Sequence, residues 1–207
     1  MTSYTTLKGE GEGRYEEKKS VFLGFARPLA SEKEALDFIA QIKSRYPDAR
    51  HHVYAYLLRE NHLTRYSDDR EPQGTAGLPT LDLLKKSGCT DAGIVVVRYF
   101  GGTLLGTGGL VRAYTAASKA ALESAGIVTY RPFTECCVTV SYADYQKIVP
   151  FLEQFGVLVD DTDFGADVSV LIAVESDSLS RFEKELINLT GGRSVLAVKG
   201  ERFDGGK

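Results

Sequence analysis

Apolar positions along this chain alternate, cluster, or recur every three to four residues, and each pattern predicts an element. Val21 to Phe25 reads as a strand ended near Pro28. Ser31 and Glu34 form a capping box, and Leu36, Ile39, Ile42 and Tyr46 follow at helical spacing until Pro47. His52 to Leu58 is strand-like, with His52, Tyr54, Tyr56 and Leu58 on one face. Leu81 to Lys86 makes a short helix after Pro79, closed by Gly88. The unbroken aliphatic run Ile94 to Val97 leaves no solvent face, so Ile94 to Phe100 is a buried strand. Leu110, Ala113, Tyr114, Ala117 and Ala121 form a helical stripe that stops at Gly126. Two polar stretches lie outside these elements. Residues 1–14, with Gly9, Gly11 and Gly13, read as a flexible segment, and Arg59 to Gly77 as a long connection.

A boundary falls at Ile127 to Phe133, where Pro132 interrupts. Beyond it, Cys136, Val138, Val140 and Tyr142 alternate with polar positions as in a half-buried strand. Asp144 is the expected N-cap of a helix reaching Phe155, with Pro150 expected to kink it or displace its start. Val157 to Thr162 and Val168 to Val174 are strands joined at a turn containing Gly165. Ser180 with Glu183 predicts a second capping box, for a helix through Leu189 closed by Gly191 and Gly192. Ser194 to Val198 is a last strand. The order βαββαβ is that of the ferredoxin-like sandwich, a fold that serves many unrelated functions. The expected organisation is therefore a flexible segment 1–14, a first domain 15–130, a second domain 134–200 and a tail 201–207.

Composition narrows the class. With 207 residues, 43% hydrophobic and 26% charged, the chain suits a core-forming protein of one large and one small domain. Its start has no apolar run of a secretory signal, and no stretch approaches the roughly 20 apolar residues of a membrane span. A cytoplasmic address with no membrane partner follows as the expectation. Cys89 stands alone and Cys136 and Cys137 are adjacent, an arrangement poor for a metal or a disulfide, so all read as reduced thiols. A net charge of −3 and a pI near 5.7 argue against a generic electrostatic binder of nucleic acid and leave room for a local basic groove.

Two blocks go beyond pattern. One runs Tyr66-Ser-Asp-Asp-Arg-Glu-Pro-Gln-Gly-Thr-Ala-Gly-Leu-Pro79, the other Val97-Arg-Tyr-Phe-Gly-Gly-Thr-Leu-Leu-Gly-Thr-Gly-Gly-Leu-Val-Arg-Ala-Tyr114. With Ala49-Arg-His-His52 they resemble the signature of the YigZ/IMPACT family, and the likeness extends from about Tyr15 onward. The resemblance implies an α+β protein. Its first domain would be a two-layer α/β unit related to the second domain of a small-subunit ribosomal protein, a fold shared with GHMP kinases and elongation factor G. Its second would be ferredoxin-like, as in elongation factor G. Eukaryotic relatives carry a further domain and restrain an initiation-factor kinase by competing for its activator. This chain has no length to spare for that domain, so that role is not expected of it.

The candidate chemistry lies in these blocks. A buried strand, then Gly101, Gly102, Gly106, Gly108 and Gly109, then a helix near Leu110 suits an anion: glycines admit close approach and the first helical amides point outward. From Gly93 to Leu122 there is no acid, while Arg98, Arg112 and Lys119 are present. The ligand would be a nucleotide phosphate, an RNA backbone or a ribosome-associated factor; the plain alternative is a tight turn with close helix–sheet packing. No Lys-Ser or Lys-Thr follows Gly109, so this is not a Walker loop. Thr75, in the small-residue stretch Gly74 to Gly77, would donate its hydroxyl to the anion or cap local backbone. Of His51 and His52 only one can face inward on a strand; His52 is the candidate phosphate donor or acid–base group, against a structural histidine. Tyr99, beside Arg98, is the aromatic expected to be exposed for base stacking, with Phe100 and Tyr114 in the core.

Asp68, Asp69 and Glu71 would hold magnesium, making a magnesium-dependent enzyme on a nucleotide or phosphorylated small molecule the alternative function; otherwise they are turn residues or arginine partners. No cofactor beyond that ion is implied. The absence of a nucleophile motif argues against an enzyme. Replacing Arg98 and Arg112 together by alanine is expected to abolish anion binding and leave the fold intact.

Overall fold

A computed structural model describes residues 2–205. It separates into two compact units, Tyr4–Thr129 and a second from Tyr130 onward. In chain order the elements are β1 (Tyr4–Leu7), β2 (Gly11–Glu17), β3 (Ser20–Pro28), α1 (Glu32–Arg45), β4 (His51–Leu58), β5 (Leu63–Ser67), α2 (Gly77–Lys86), β6 (Ala92–Tyr99) and α3 (Gly106–Ala125). There follow β7 (Ile127–Val140), α4 (Tyr142–Phe155), β8 (Leu158–Phe164), β9 (Val168–Glu175), α5 (Leu179–Thr190) and β10 (Val195–Asp204).

The first domain is built on an antiparallel sheet ordered β2-β3-β6-β4-β5. Its central strand β6 is buried along nearly its whole length, as its aliphatic run requires, because both faces of the sheet are covered. Phe22, Val53, Ile94 and Val96 face α2 and α3, while Phe25, Tyr56, Val95 and Val97 face α1. The expected mixed α+β class holds, and the first domain has three layers rather than two. Helix α1 buries Ile39 and Ile42 as expected, with Tyr46 packed against the same core, but its stripe is completed by Ala35 and Phe38 and leaves Leu36 exposed. Ser31 caps α1 by accepting from the Glu34 amide at 3.3 Å, and Glu34 Oε2 accepts from the Ala30 amide at 2.8 Å.

The stretch expected to be flexible is strand instead. Within residues 2–14, β1 and most of β2 are ordered; Met1 lies outside the described residues. The glycines suggest a loop by residue type, yet Gly11 and Gly13 serve close packing. A methyl added at Gly13 would stand 2.5 Å from the Ala121 amide and 2.6 Å from the Ala120 methyl of α3. The long connection after β4 likewise contains β5, and α2 begins at Gly77 with Pro79 in its first turn, where proline is tolerated.

The second domain is the expected ferredoxin-like unit: strands β10-β7-β9-β8, all antiparallel, with α4 and α5 on one face. Cys136, Val138, Val170, Ile172, Ile148, Leu152, Phe182 and Leu186 form its core. Cys89 and Cys136 are buried and all the cysteines are free thiols; burial pushes the Cys136 thiol up. Strand β10 takes in residues 201–204 of the expected tail, while Gly206 and Lys207 lie outside the described residues. Helix α4 runs through Pro150, and α5 starts with Ser178 at its cap, which leaves Ser180 inside the helix.

The N-cap of α4 is Ser141, not Asp144. Asp144 sits three residues later and binds Arg193 through both oxygens at 2.9 and 3.0 Å, and Lys147 at 2.7 Å. Hydrogen bonds from Arg193 and then Lys147 hold its carboxyl well below the usual carboxylate range, against a smaller upward push from burial. A carboxyl lowered on folding contributes stability above its unfolded value, about 3.9, and loses that contribution as pH falls through the folded value. Asp144→Asn is therefore expected to melt earlier than the native chain at pH near 7. The difference should narrow steadily below pH of about 4. Thermal melts by circular dichroism at several pH values check this; a gap independent of pH would refute it.

Candidate functional site

At the C-terminal end of β6 one cross-strand row carries Phe22, Arg98 and His51, neighbours by register on β3, β6 and β4. The row faces α3. Arg98 lies over the rings of Phe22 and Phe100, at 5.5 and 5.6 Å from their centroids. Glu71, arriving from the segment before α2, accepts from Arg98 Nη1 at 2.6 Å and from the Tyr114 hydroxyl at 2.7 Å with the same oxygen, Oε1. The side chains of Arg98 and Glu71 are 7% and 3% exposed, so the pair is a buried one. Arg98 Nε is buried with no hydrogen-bond partner among the described residues. Burial, reinforced by Glu71, holds the Tyr114 phenol far above its usual range, which keeps it a donor.

The histidines divide as strand geometry requires, and His52 follows the structural alternative. His52 is structural: its Nε2 is 2.9 Å from the Tyr46 carbonyl, and its backbone amide donates to Asp69 Oδ2 at 2.7 Å. His51 is the one in the Arg98 row. Its Nδ1 donates to the Asp69 carbonyl at 2.8 Å, and its Nε2 stands 3.9 Å from Glu71 Oε1. Choosing between adjacent histidines requires the strand's face assignment, which two covered faces obscure.

The three carboxylates assigned to magnesium each do something else. Asp68 accepts from the amides of Gly74, Ala76 and Gly77 at 2.9, 3.0 and 2.8 Å, capping α2 from a distance in place of its cap residue Ala76. Asp69 takes the His52 amide and Glu71 takes Arg98. Among the described residues no group of three His, Cys, Asp or Glu side chains could hold a metal. Thr75 donates its hydroxyl to the Pro72 carbonyl at 2.7 Å, the local-cap alternative. Arg98 is engaged by Glu71, so replacing Arg98 would damage the fold, contrary to the expectation from sequence.

The glycine loop is a different case. Gly101 donates to Ser20 Oγ at 3.0 Å and packs against the backbone of Lys19 and Ser20, where a side chain would collide. Gly102 and Gly106 take the left-handed conformation, φ 85° and 72°. Helix α3 begins at Gly106, so Gly106, Gly108 and Gly109 form its first turn. No side chain caps that turn and it holds no acid, while Gly106, Thr107 and Gly108 are exposed. The Arg112 guanidinium folds back beside it, 3.7 and 3.9 Å from where side chains at Gly108 and Gly109 would begin. Its nearest acid, Glu17, stands 3.9 Å away and Arg112 stays 70% exposed.

Two further cations, which local sequence pattern does not mark, lie on the turn whose Lys19 backbone packs against Gly101. Lys18 and Lys19 form the two-residue turn between β2 and β3, both exposed, with φ 47° and 66°. Such turns favour Asn-Gly, because both positions require positive φ. The signal is the two-residue gap between the paired Glu17 and Ser20, and it shows only once β2 is known to be a strand. The aromatics also change places. Tyr99 points its hydroxyl to Asp48 at 2.9 Å and packs on the α1 side, whereas Phe100 is 51% exposed.

Comparison with known proteins places this geometry in a family. The Impact N-terminal domain matches residues 18–122, which contain every residue of the site from Lys18 to Tyr114, and a domain of unknown function, DUF1949, matches residues 138–193. The IMPACT family member YvyE of Bacillus subtilis is 35% identical over 95% of this chain and 91% of its own length. The chain belongs to the IMPACT family. The family member YigZ of Escherichia coli is 34% identical over 88% of this chain and 91% of its own. A crystal structure described as that of an hypothetical protein superposes with a TM-score of 0.61 at 32% identity, covering 96% of this chain and 98% of that one. The IMPACT relatives thus match the chain across both of its compact units. No helix among the described residues is long and apolar enough to cross a membrane.

Proposed function

We propose that this IMPACT family member is a cytoplasmic binding protein that holds RNA, of the ribosome or another translation-related partner, by its phosphate backbone at the start of α3. What supports the reading is an uncapped, exposed helix start with no acid in its first turn, the Arg112 guanidinium folded beside it, and the exposed Lys18–Lys19 turn, whose Lys19 backbone packs against Gly101 of the preceding loop. Backbone amides and cations complement phosphate oxygens, and an acidic chain with a local cationic patch selects a site rather than a whole surface. The link to translation rests on the resemblance of both domains to translation-factor modules. The magnesium-dependent alternative loses its support, since Asp68, Asp69 and Glu71 are engaged elsewhere.

The turn itself supplies a clean test. Lys18→Asn with Lys19→Gly removes both charges and installs the residues the turn geometry favours, so folding stability should hold or rise. Combined with Arg112→Gln, the change should weaken binding of a short single-stranded RNA and lower the slope of log affinity against log salt by about 2, at about 0.7 for each phosphate no longer neutralised. Fluorescence anisotropy across a salt series reads both. An unchanged slope would remove the site.

A further inference from the structure

We infer that the phosphate site is one half of a site for single-stranded RNA, and that its base-stacking platform is the face of Phe100 turned away from Arg98. The inference rests on the phosphate reading and names the class of RNA. Phe100 directly precedes Gly101, which packs against the backbone of Lys19 and Ser20, so the loop that carries the ring adjoins the turn that carries Lys18 and Lys19. It is 51% exposed, so part of the ring is open to a base.

The ring is also backed. Behind it lies the Arg98 guanidinium at 5.6 Å, and behind that the fully buried Phe22 at 5.5 Å, which meets Tyr114 edge-on at 5.1 Å. Glu71 pins the guanidinium at 2.6 Å and Tyr114 donates to the same carboxylate oxygen. Phe100 thus rests on a rigid column of Phe22 and Arg98, and little side-chain freedom remains to be lost when a base is added. A base on the outer face would extend the column by one more π system. This gives the buried pair a role in binding without contact to the ligand: Arg98 is a positioning residue.

Chemistry then selects among nucleic acids. A duplex keeps its bases stacked inside, and the deep groove of A-form RNA withholds them from side chains, whereas an unpaired strand can offer a base to a surface ring. Stacking on an aromatic ring tolerates any base, so the site should recognise single-strandedness more than sequence. Leu104, 82% exposed in the same loop, adds apolar contact.

The test compares labelled oligouridylate, an abasic strand of the same length and an RNA duplex, all against the full chain by anisotropy at low salt. Oligouridylate should bind about tenfold tighter than the abasic strand, the increment of one stacked base. Phe100→Leu, which keeps apolar bulk but no π face, should reduce oligouridylate to the abasic level and leave the abasic strand unaffected. Phe100→Tyr should restore the difference. The Lys18→Asn, Lys19→Gly pair should weaken both strands alike. Circular dichroism melts confirm that the Phe100 variants fold. Equal binding of the base-bearing and abasic strands, or preference for the duplex, would overturn the stacking site while leaving the phosphate reading in place. No binding of any of the three would overturn both.

Discussion

Glu71→Ala should destabilise the first domain by about 3–5 kcal/mol, the cost of removing one partner from a buried ion pair. The single oxygen Oε1 receives both Arg98 and the Tyr114 hydroxyl, so its loss strands a cation and a phenol together in a space where the Arg98 and Glu71 side chains are 7% and 3% exposed. Arg98 cannot turn to water without leaving the rings of Phe22 and Phe100. Removing both charges is another matter. Glu71→Leu with Arg98→Met should recover most of the loss, because a well-packed apolar pair need not be less stable than a buried ionic one. Urea unfolding followed by circular dichroism measures each. A loss below about 1 kcal/mol for Glu71→Ala, the worth of an exposed pair, would mean that solvent reaches the site. The double variant also separates stability from binding: it should fold and yet lose the base-dependent part of RNA affinity, because the column behind Phe100 is gone.

Gly24→Ala should cost about 3 kcal/mol, at the upper end of ordinary overpacking. Gly24 lies on β3 beneath α3, and a methyl there would run into the carbonyl of Ala117 and crowd the Ala121 methyl at 3.2 Å. The obstacle is helix backbone, which cannot rotate away, so the helix must lift off the strands. Since the same helix carries Gly106 and Arg112 at its start, RNA affinity should fall with it. Gly9→Ala is the control: nothing lies within 4 Å of the added methyl, and the change should stay within about 0.5 kcal/mol. Equal effects of the two substitutions in a urea series would refute the close packing of α3 on β3.

Much of the first domain is legible in residue order because its signals are local. The aliphatic run of β6 announces a strand covered on both faces, the capping box at Ser31 starts α1, and the alanine-rich stripe of α3 marks a helix that packs closely. The strands β1, β2 and β5 are not legible in this way. Gly11 and Gly13 look like loop residues until the helix they accommodate, which comes far later in the chain, is placed over them. Asp144 has the chemistry of a cap and sits one turn from the real cap, Ser141, because Arg193, also remote in sequence, claims its carboxylate.

The candidate site divides along the same line. Arg112, the glycines of the α3 start and the lack of acids around them are properties of one continuous segment, and sequence alone marks them as a place for an anion. Which cations are free is a property of space. Arg98 is neutralised by a carboxylate from a different segment, while Lys18 and Lys19 arrive from a hairpin turn whose first strand has no clear apolar alternation. Periodicity and capping act between near neighbours and are written into the order of residues. Charge pairing and ring exposure depend on distances between remote segments, which exist only once the chain is folded.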